Sequence, residues 1–298
     1  MLTGIRIVFL GGDARQLEVI RKCVEMDATV SAAGFDKWET PCPGANLEQL
    51  SPELLGSADV LVLPTVGCDD EGNINAIFSS VRLQLTEELV AALPPRAAVY
   101  TGMAKGYLRS LCAKYSLKLV ELLNRDDVAI YNSIPTAEGA LVMAIQNTDF
   151  TVHGSTSMVL GMGRTGFTMA RALQGLGSTV KVGVRKQEHF ARAEEMGWKP
   201  FMTGELPAQV QDVDLLFNTI PSLIITAQVL QRLPKHCLII DLASAPGGCD
   251  FRYAERRGIK AMLAPGLPGI VAPKSAGIIM ANALIQSITD EITSRGDE

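Results

Sequence analysis

The chain has 298 residues, of which 47% are hydrophobic and 20% charged, and its formal net charge is -5. That length accommodates two ordinary domains with buried cores, and the composition is that of a globular protein. With no basic run, nucleic acid and anionic membrane surfaces are not expected partners, so an anionic ligand must be met by local arginines and lysines.

The chain opens on "IRIVFLGG", an apolar run ending in a glycine pair. The run is too short for the core of a signal peptide and reads as a strand. "ARQLEVIRKCVEM" follows with helical spacing, opened by Asp13, Arg15 and Gln16. Gly11-Gly12 lacks a third glycine at the right place. The turn is either a polar, substrate-side turn or an ordinary helix cap by Asp13. Strands are expected at "TVSAAGF", "ADVLVLP", "AAVYTG" and "LKLVELL", and helices at "LTEELVAAL" and "AKGYLRSLCAKY". This alternation predicts a parallel sheet with helices on both faces. Residues 36–52 and 67–82 read as long polar loops of the kind that serve a site.

"SIPTAEGALVMAIQNT" then reads as a helix, with Pro135 at its start and Glu138 in its first turn. The second half repeats the pattern. Strands are expected at 157–160, 179–184, 213–217, 237–241 and 260–263, with the first intervening helix at 165–176. The chain closes on a helix from about Ser275 to Ser294. Its apolar stretch, "AGIIMANALIQSI", is about half the length needed to cross a bilayer, so no membrane is expected and the chain reads as cytoplasmic.

The expected fold is therefore α/β, with two tandem doubly wound parallel-sheet, Rossmann-like domains and an interdomain cleft. Residues 1–147 form a flavodoxin- or Rossmann-like substrate domain, onto which the last helix, about 278–298, packs back. Residues 148–277 form a dinucleotide-binding domain. The six cysteines form no CxxC pair and only three histidines are present, so no metal site is expected and the thiols read as reduced. Cys42 and Cys68, in polar loops, are the two worth testing for reactivity.

In "SMVLGMGRTGFTMARAL", Gly161, Gly163 and Gly166 fit G-x-G-x-x-G between a strand and a helix. The first glycine permits the tight turn and the second lets backbone approach a pyrophosphate. The third lets helix and strand pack closely. Met162, Arg164 and Thr165 complete the turn. The next strand ends at Val184, where an NAD-preferring unit usually carries an acid; here Arg185 and Lys186 follow. A guanidinium binds a 2′-phosphate that a carboxylate would repel, which favours NADP and leaves NAD as the alternative. Two solvated cations on a surface turn would also explain the pair. Further along, Asn218, Thr219, Ile220 and Pro221 form the expected loop under the nicotinamide ribose. Asp241, Ala243 and Ser244 lie at the rim of the following strand.

The segments "GGDARQ", "IYNSIPTAEGALVMAI", "LGMGRTGFTMARAL", "NTIP", "DLAS" and "APGLPGIVAPKSAG" together resemble the A subunits of dipicolinate synthase from spore-forming bacteria, over essentially the whole chain. More distantly the chain looks like alanine and 2-hydroxy-acid dehydrogenases. The resemblance implies an NADP-dependent oxidation of dihydrodipicolinate, or of its hydrated 4-hydroxy-tetrahydro precursor, to pyridine-2,6-dicarboxylate. It implies action in the mother cell during sporulation, on a branch of the lysine pathway. It also implies that the partner is a flavoprotein-like B subunit, and a homo-oligomer is a further expectation.

For a cyclic dicarboxylate the candidate binding residues are Asp13, Arg15, Lys105, Thr136, Lys274 and Ser275, with the N–H groups of the helix near Ser275. Lys274 and Glu138 are the candidate proton acceptors, although Glu138 could equally serve its helix dipole. His153, His189 and His236 read as lying away from the site. Two other readings stay open: a dehydrogenase of the alanine or 2-hydroxy-acid type, and a non-catalytic cofactor-binding half of a complex.

Overall fold

A computed structural model describes residues 1–296. It divides into two compact units: residues 1–129 together with the helix that starts at Pro273, and residues 130–272.

The first unit runs β1 (Arg6–Leu10), α1 (Ala14–Glu25), β2 (Thr29–Ala33), β3 (Ala45–Glu48), α2 (Pro52–Gly56) and β4 (Val60–Val62). It continues through β5 (Asn73–Ile74), β6 (Leu83–Gln84), α3 (Glu87–Ala91), β7 (Ala98–Thr101), α4 (Gly106–Lys114) and β8 (Lys118–Glu121). Six strands form a parallel sheet in the order β3-β2-β1-β4-β7-β8, so the chain changes direction between β1 and β4. The central strands are apolar runs because both of their faces are covered. One face packs against α1 around Phe9, Ile20 and Tyr100, and the other around Leu55, Leu61 and Leu108.

The two segments expected as loops each contain strand. β3 lies within 36–52, and β5 pairs with β6 across 73–84. "ANLE" is a largely exposed edge strand, so it shows no apolar run and no clean alternation. Cys68 is also not in an open loop. It is buried and bridged to Ile74, and burial followed by the charge of Asp69 pushes its thiol up to about 11. Cys42 is half-buried.

The linking helix, α5 (Asp126–Gln146), begins a full two turns earlier than expected. Pro135 therefore sits inside it, and Glu138 is an exposed mid-helix residue rather than a first-turn acid. Asp126 and Asp127 occupy the first turn instead. The Thr136 hydroxyl donates to the Asn132 carbonyl at 2.8 Å and the Ser133 hydroxyl to Ile130 at 2.6 Å, so side chains bond backbone carbonyls around the proline. From residue 130 onward this helix belongs to the second unit, not the first. Ala137, Ala140 and Ala144 are buried in the second unit's core, which a small-residue face permits. By length and composition α5 is also apolar enough to cross a membrane, with 39% of its apolar window buried.

The second unit adds β9 (Thr156–Leu160), α6 (Arg164–Gly175), β10 (Thr179–Val184), α7 (Gln187–Glu195), β11 (Lys199–Met202) and α8 (Leu206–Gln209). It ends with β12 (Leu215–Asn218), α9 (Ala227–Leu230), β13 (Leu238–Asp241), α10 (Phe251–Arg257), β14 (Ala261–Leu263) and α11 (Leu267–Val271). Its sheet order, β11-β10-β9-β12-β13-β14, is again parallel and switches between β9 and β12.

The final helix, α12 (Pro273–Gly296), returns to the first unit. Met280, Ala281, Leu284 and Ile288 join the core around Ile20 and Tyr100. The Tyr100 hydroxyl meets Ser287 and Glu291, each at 3.3 Å, and Lys118 pairs with Glu291 at 3.1 Å. Leu284 is fully buried, so Leu284→Ala should lower stability by about 2–5 kcal/mol. Urea denaturation checks the size of the loss. Limited proteolysis should cut the first unit before the second.

Candidate functional site

In a doubly wound sheet the ligand crevice opens where strand order reverses, at the carboxyl ends of the two strands involved. In the second unit those ends are Leu160 of β9 and Asn218 of β12. The glycine turn follows the first and Thr219 follows the second, so the two motifs meet.

Gly161 adopts φ +95°, and a Cβ there would strike the Thr219 hydroxyl. Thr219 binds the last carbonyl of β9 twice, its N–H donating to Leu160 at 2.9 Å and its hydroxyl at 2.7 Å. Gly166 lies so close to the Gly161 carbonyl that no Cβ fits between them, which brings the first turn of α6 against the end of the strand. Gly163, by contrast, faces open space. It caps α6 with no side-chain hydrogen bond, and no acid stands in that first turn. The cap residue therefore offers the helix start no side-chain acceptor, the arrangement that accepts a phosphate.

One cavity of about 260 Å³ gathers eight of the expected cofactor residues: Gly161, Met162, Gly163, Arg185, Lys186, Thr219, Ile220 and Pro221. Arg185 is exposed and has no hydrogen-bond or ion-pair partner among the described residues. Lys186 pairs with Glu188 at 3.2 Å, which leaves Arg185 the less committed cation. His189, in the first turn of α7, also lines this cavity, although its sequence context read as ordinary surface. Only a count of helix positions from Lys186 would have placed it there. Arg164 and Thr165 lie in the first turn of α6, beside the cavity rather than on its lining.

Asn218, Asp241, Ala243 and Ser244 are not cavity residues. Asn218 and Asp241 are fully buried. The Asn218 Nδ2 donates to Asp241 Oδ1 at 2.9 Å and to the Ile220 carbonyl at 3.0 Å, while its Oδ1 accepts from the Ile220 N–H at 3.0 Å. Asp241 also accepts from the N–H of Ala243 at 3.1 Å and of Gly248 at 2.6 Å. A buried carboxylate is tolerable only when its oxygens are satisfied in this way. The pair shapes the loops after β12 and β13 from beneath. Ser244 is exposed, and its carbonyl closes a turn with the Gly247 N–H at 2.9 Å.

In the first unit the corresponding switch lies between β1 and β4. Asp13 caps α1, accepting from the Arg15 N–H at 3.0 Å, and its carboxylate pairs with Arg15 Nη2 at 2.6 Å. Burial pushes the Asp13 carboxyl up, but the hydrogen bonds and charge of Arg15 outweigh it and hold the group below its usual range. Of the two readings of this turn, the cap is therefore real, and Arg15, only 15% exposed, is committed to it. Lys105 is exposed at the start of α4. α12 begins at Pro273, so Lys274 and Ser275 are exposed first-turn residues rather than caps. Gly277 packs directly on the Arg15 carbonyl and Glu18, so α1 and α12 start side by side and run in the same direction. Asp13, Arg15, Lys274 and Ser275 thus share one edge of the first unit, whereas Thr136 and Glu138 lie on α5 in the second. No cluster among the described residues could hold a metal ion.

Gly166→Ala should cost about 1–3 kcal/mol through overpacking, and it should abolish nucleotide binding at the turn. Gly163→Ala, facing open space, should leave the melting temperature unchanged. Thermal melts with and without nucleotide separate the two cases.

Known proteins share both the sequence and this geometry. Residues 6–123 match the family described as the N-terminal domain of the dipicolinate synthase A subunit. The A subunit of dipicolinate synthase from Bacillus subtilis (strain 168) is 47% identical over 97% of this chain and 98% of its own length. The crystal structure of the corresponding A subunit from Bacillus halodurans superposes with a TM-score of 0.93 at 49% identity, covering 96% of this chain and 98% of that one. A transhydrogenase from Sinorhizobium meliloti shares the fold at 15% identity, with a TM-score of 0.72 over 96% of this chain and 94% of its own. The full-length match at nearly half identity carries the conclusion: the chain belongs to the family of dipicolinate synthase A subunits.

Proposed function

We propose that this chain is the NADP-binding, hydride-removing subunit of a dipicolinate synthase. It oxidises dihydrodipicolinate, or the hydrated 4-hydroxy-tetrahydro precursor after loss of water, to pyridine-2,6-dicarboxylate. The second unit is the nucleotide domain and the first is the substrate domain. The observation behind this reading is the Gly161–Gly166 turn at the β9/β12 switch, with the uncommitted Arg185 on the rim of the same cavity.

A bound nicotinamide supplies the hydride acceptor. The chain itself does the rest. The first-turn N–H groups of α6 bind the diphosphate, and Arg185 binds the adenosine 2′-phosphate through charge-assisted hydrogen bonds. Thr219 and the Asn218–Asp241 pair keep the cavity floor rigid. Lys274 and Ser275, in a helix start that carries no acid, receive a substrate carboxylate. One hydride and one proton leave the ring as it becomes aromatic. Aromatisation drives the step, so the proton needs only a weak acceptor, such as the exposed Glu138 carboxylate or solvent, while Lys274 stays a cation on the substrate carboxylate. The reaction takes place in the cytoplasm of the mother cell of a sporulating bacterium, together with a flavoprotein-like second subunit.

Purified chain, its partner subunit, NADP and the cyclic precursor should together produce pyridine absorbance that requires the nucleotide. Product formed without any nucleotide would end this reading. Nucleotide binding by the lone chain, with turnover only in the complex, would make it a cofactor-holding half.

Arg185→Ala should raise the Kd for NADP by about ten- to a hundred-fold, the weight of hydrogen bonds to a charged group. The Kd for NAD should stay within about two-fold. Calorimetric titration with both nucleotides checks this, and equal losses for the two would show that Arg185 does not meet the 2′-phosphate.

A further inference from the structure

Gln16 occupies the third position of α1 and is only 5% exposed. Its Nε2 is the one buried side-chain nitrogen or oxygen among the described residues with no hydrogen-bond partner. Buried amide groups in folded proteins are otherwise almost always paired, because an unpaired one keeps its desolvation cost without compensation. The turn before it is shaped around this side chain. Gly12 adopts φ +124°, and a Cβ there would overlap the Gln16 side chain.

Gln16 lines a cavity of about 10 Å³ at the β1/β4 switch of the first unit, with Arg15, Thr65 and Thr101 on its polar side and buried apolar side chains, among them Leu63, Met280 and Leu284, on the other. That volume takes one oxygen-sized atom. Thr101 is already occupied, its hydroxyl donating to the Pro64 carbonyl at 2.6 Å. Thr65 is half-buried, and its hydroxyl has no bond among the described residues. Gln16 and Thr65 therefore both line this one-atom space, and each carries a donor with no partner among the described residues. The starts of two helices that run in parallel, α1 and α12, flank the same edge. Asp13 already balances the first of these, whereas α12 has no acid in its first turn. The combined field favours an anionic oxygen.

We infer that Gln16 is a carboxylate-binding residue of the substrate domain. Its Nε2 donates to one oxygen of a ring carboxylate, the Thr65 hydroxyl donates to the same oxygen, and Lys274 on the same edge balances the charge. This rests on the dicarboxylate reading given above. A resident water at the same place would satisfy the same donors without any role in binding.

The two cases predict opposite behaviour for Gln16→Leu, which keeps the side-chain size and removes the donor. A donor held for the ligand leaves the ligand-free protein no better off, so Gln16→Leu melts at or above the wild-type temperature. Its Kd for pyridine-2,6-dicarboxylate, titrated into the full-length chain by calorimetry, should rise at least ten-fold. Its affinity for NADP should not change. Gln16→Leu that binds the dicarboxylate as tightly as the wild type overturns the inference, and a lower melting temperature with unchanged binding assigns a structural water. If Gln16→Leu does not fold, Thr65→Val decides: it should keep the wild-type melting temperature and weaken dicarboxylate binding, and unchanged binding overturns the inference. A wild-type chain that binds no pyridine-2,6-dicarboxylate overturns the substrate reading and this inference with it. Wild-type binding matched by both variants overturns the inference alone.

Discussion

The contact on which the second unit depends is the near-touch between Gly166 and the Gly161 carbonyl. Without a side chain at either position, the first turn of α6 can press against the end of β9. That places the start of the helix, with its N–H groups, at the point where the sheet reverses its strand order. Thr219 pins the same carbonyl end from the opposite strand, so the turn is held from both sides. Arg185 and His189 reach the cavity only because β10 lies next to β9 and delivers the start of α7 there.

A second layer beneath this cavity is polar and fully buried. Asp241 and Asn218 sit on neighbouring strands in register, so their side chains meet at the carboxyl edge of the sheet. Three donors satisfy the carboxylate, and the Asn218 amide closes the loop to Ile220. Such a network sets loop geometry, and a single unpaired member would be costly. Gly248 belongs to it by necessity, since any side chain there would strike Asn218 and two carbonyl oxygens.

In the first unit the corresponding edge is built by pairing distant parts of the chain. α12 packs along α1, and its buried leucine, methionine and isoleucine complete a core that the first 129 residues leave open on one side. The consequence for function is positional. Lys274 and Ser275, far from Asp13 and Arg15 in sequence, come to the same edge. Arg15, the most obvious anion ligand by residue type, is taken by Asp13. The neighbouring Gln16, which carries no charge to draw the eye, is left with the unused donor.

The α/β class, the two parallel sheets and the glycine turn between β9 and α6 were all legible in the bare chain. Apolar runs between turn residues and three spaced glycines are local signals whose meaning does not depend on distant residues. The family was legible too, because its segments are spread over the whole length. Which candidates line a cavity was a matter for the folded molecule. Asp241 looked like a rim residue and Asn218 like part of a ribose loop, yet they are register partners, both fully buried and bonded to each other. Pro135 and Glu138 looked like a helix start, yet Asp126 and Asp127 begin the helix two turns earlier, and the alanine face of α5 binds it to the second core. Cys68 looked exposed in a polar stretch, but the short β5–β6 pair covers it. In each case the deciding term was long-range packing or hydrogen bonding, which no window of neighbouring residues contains.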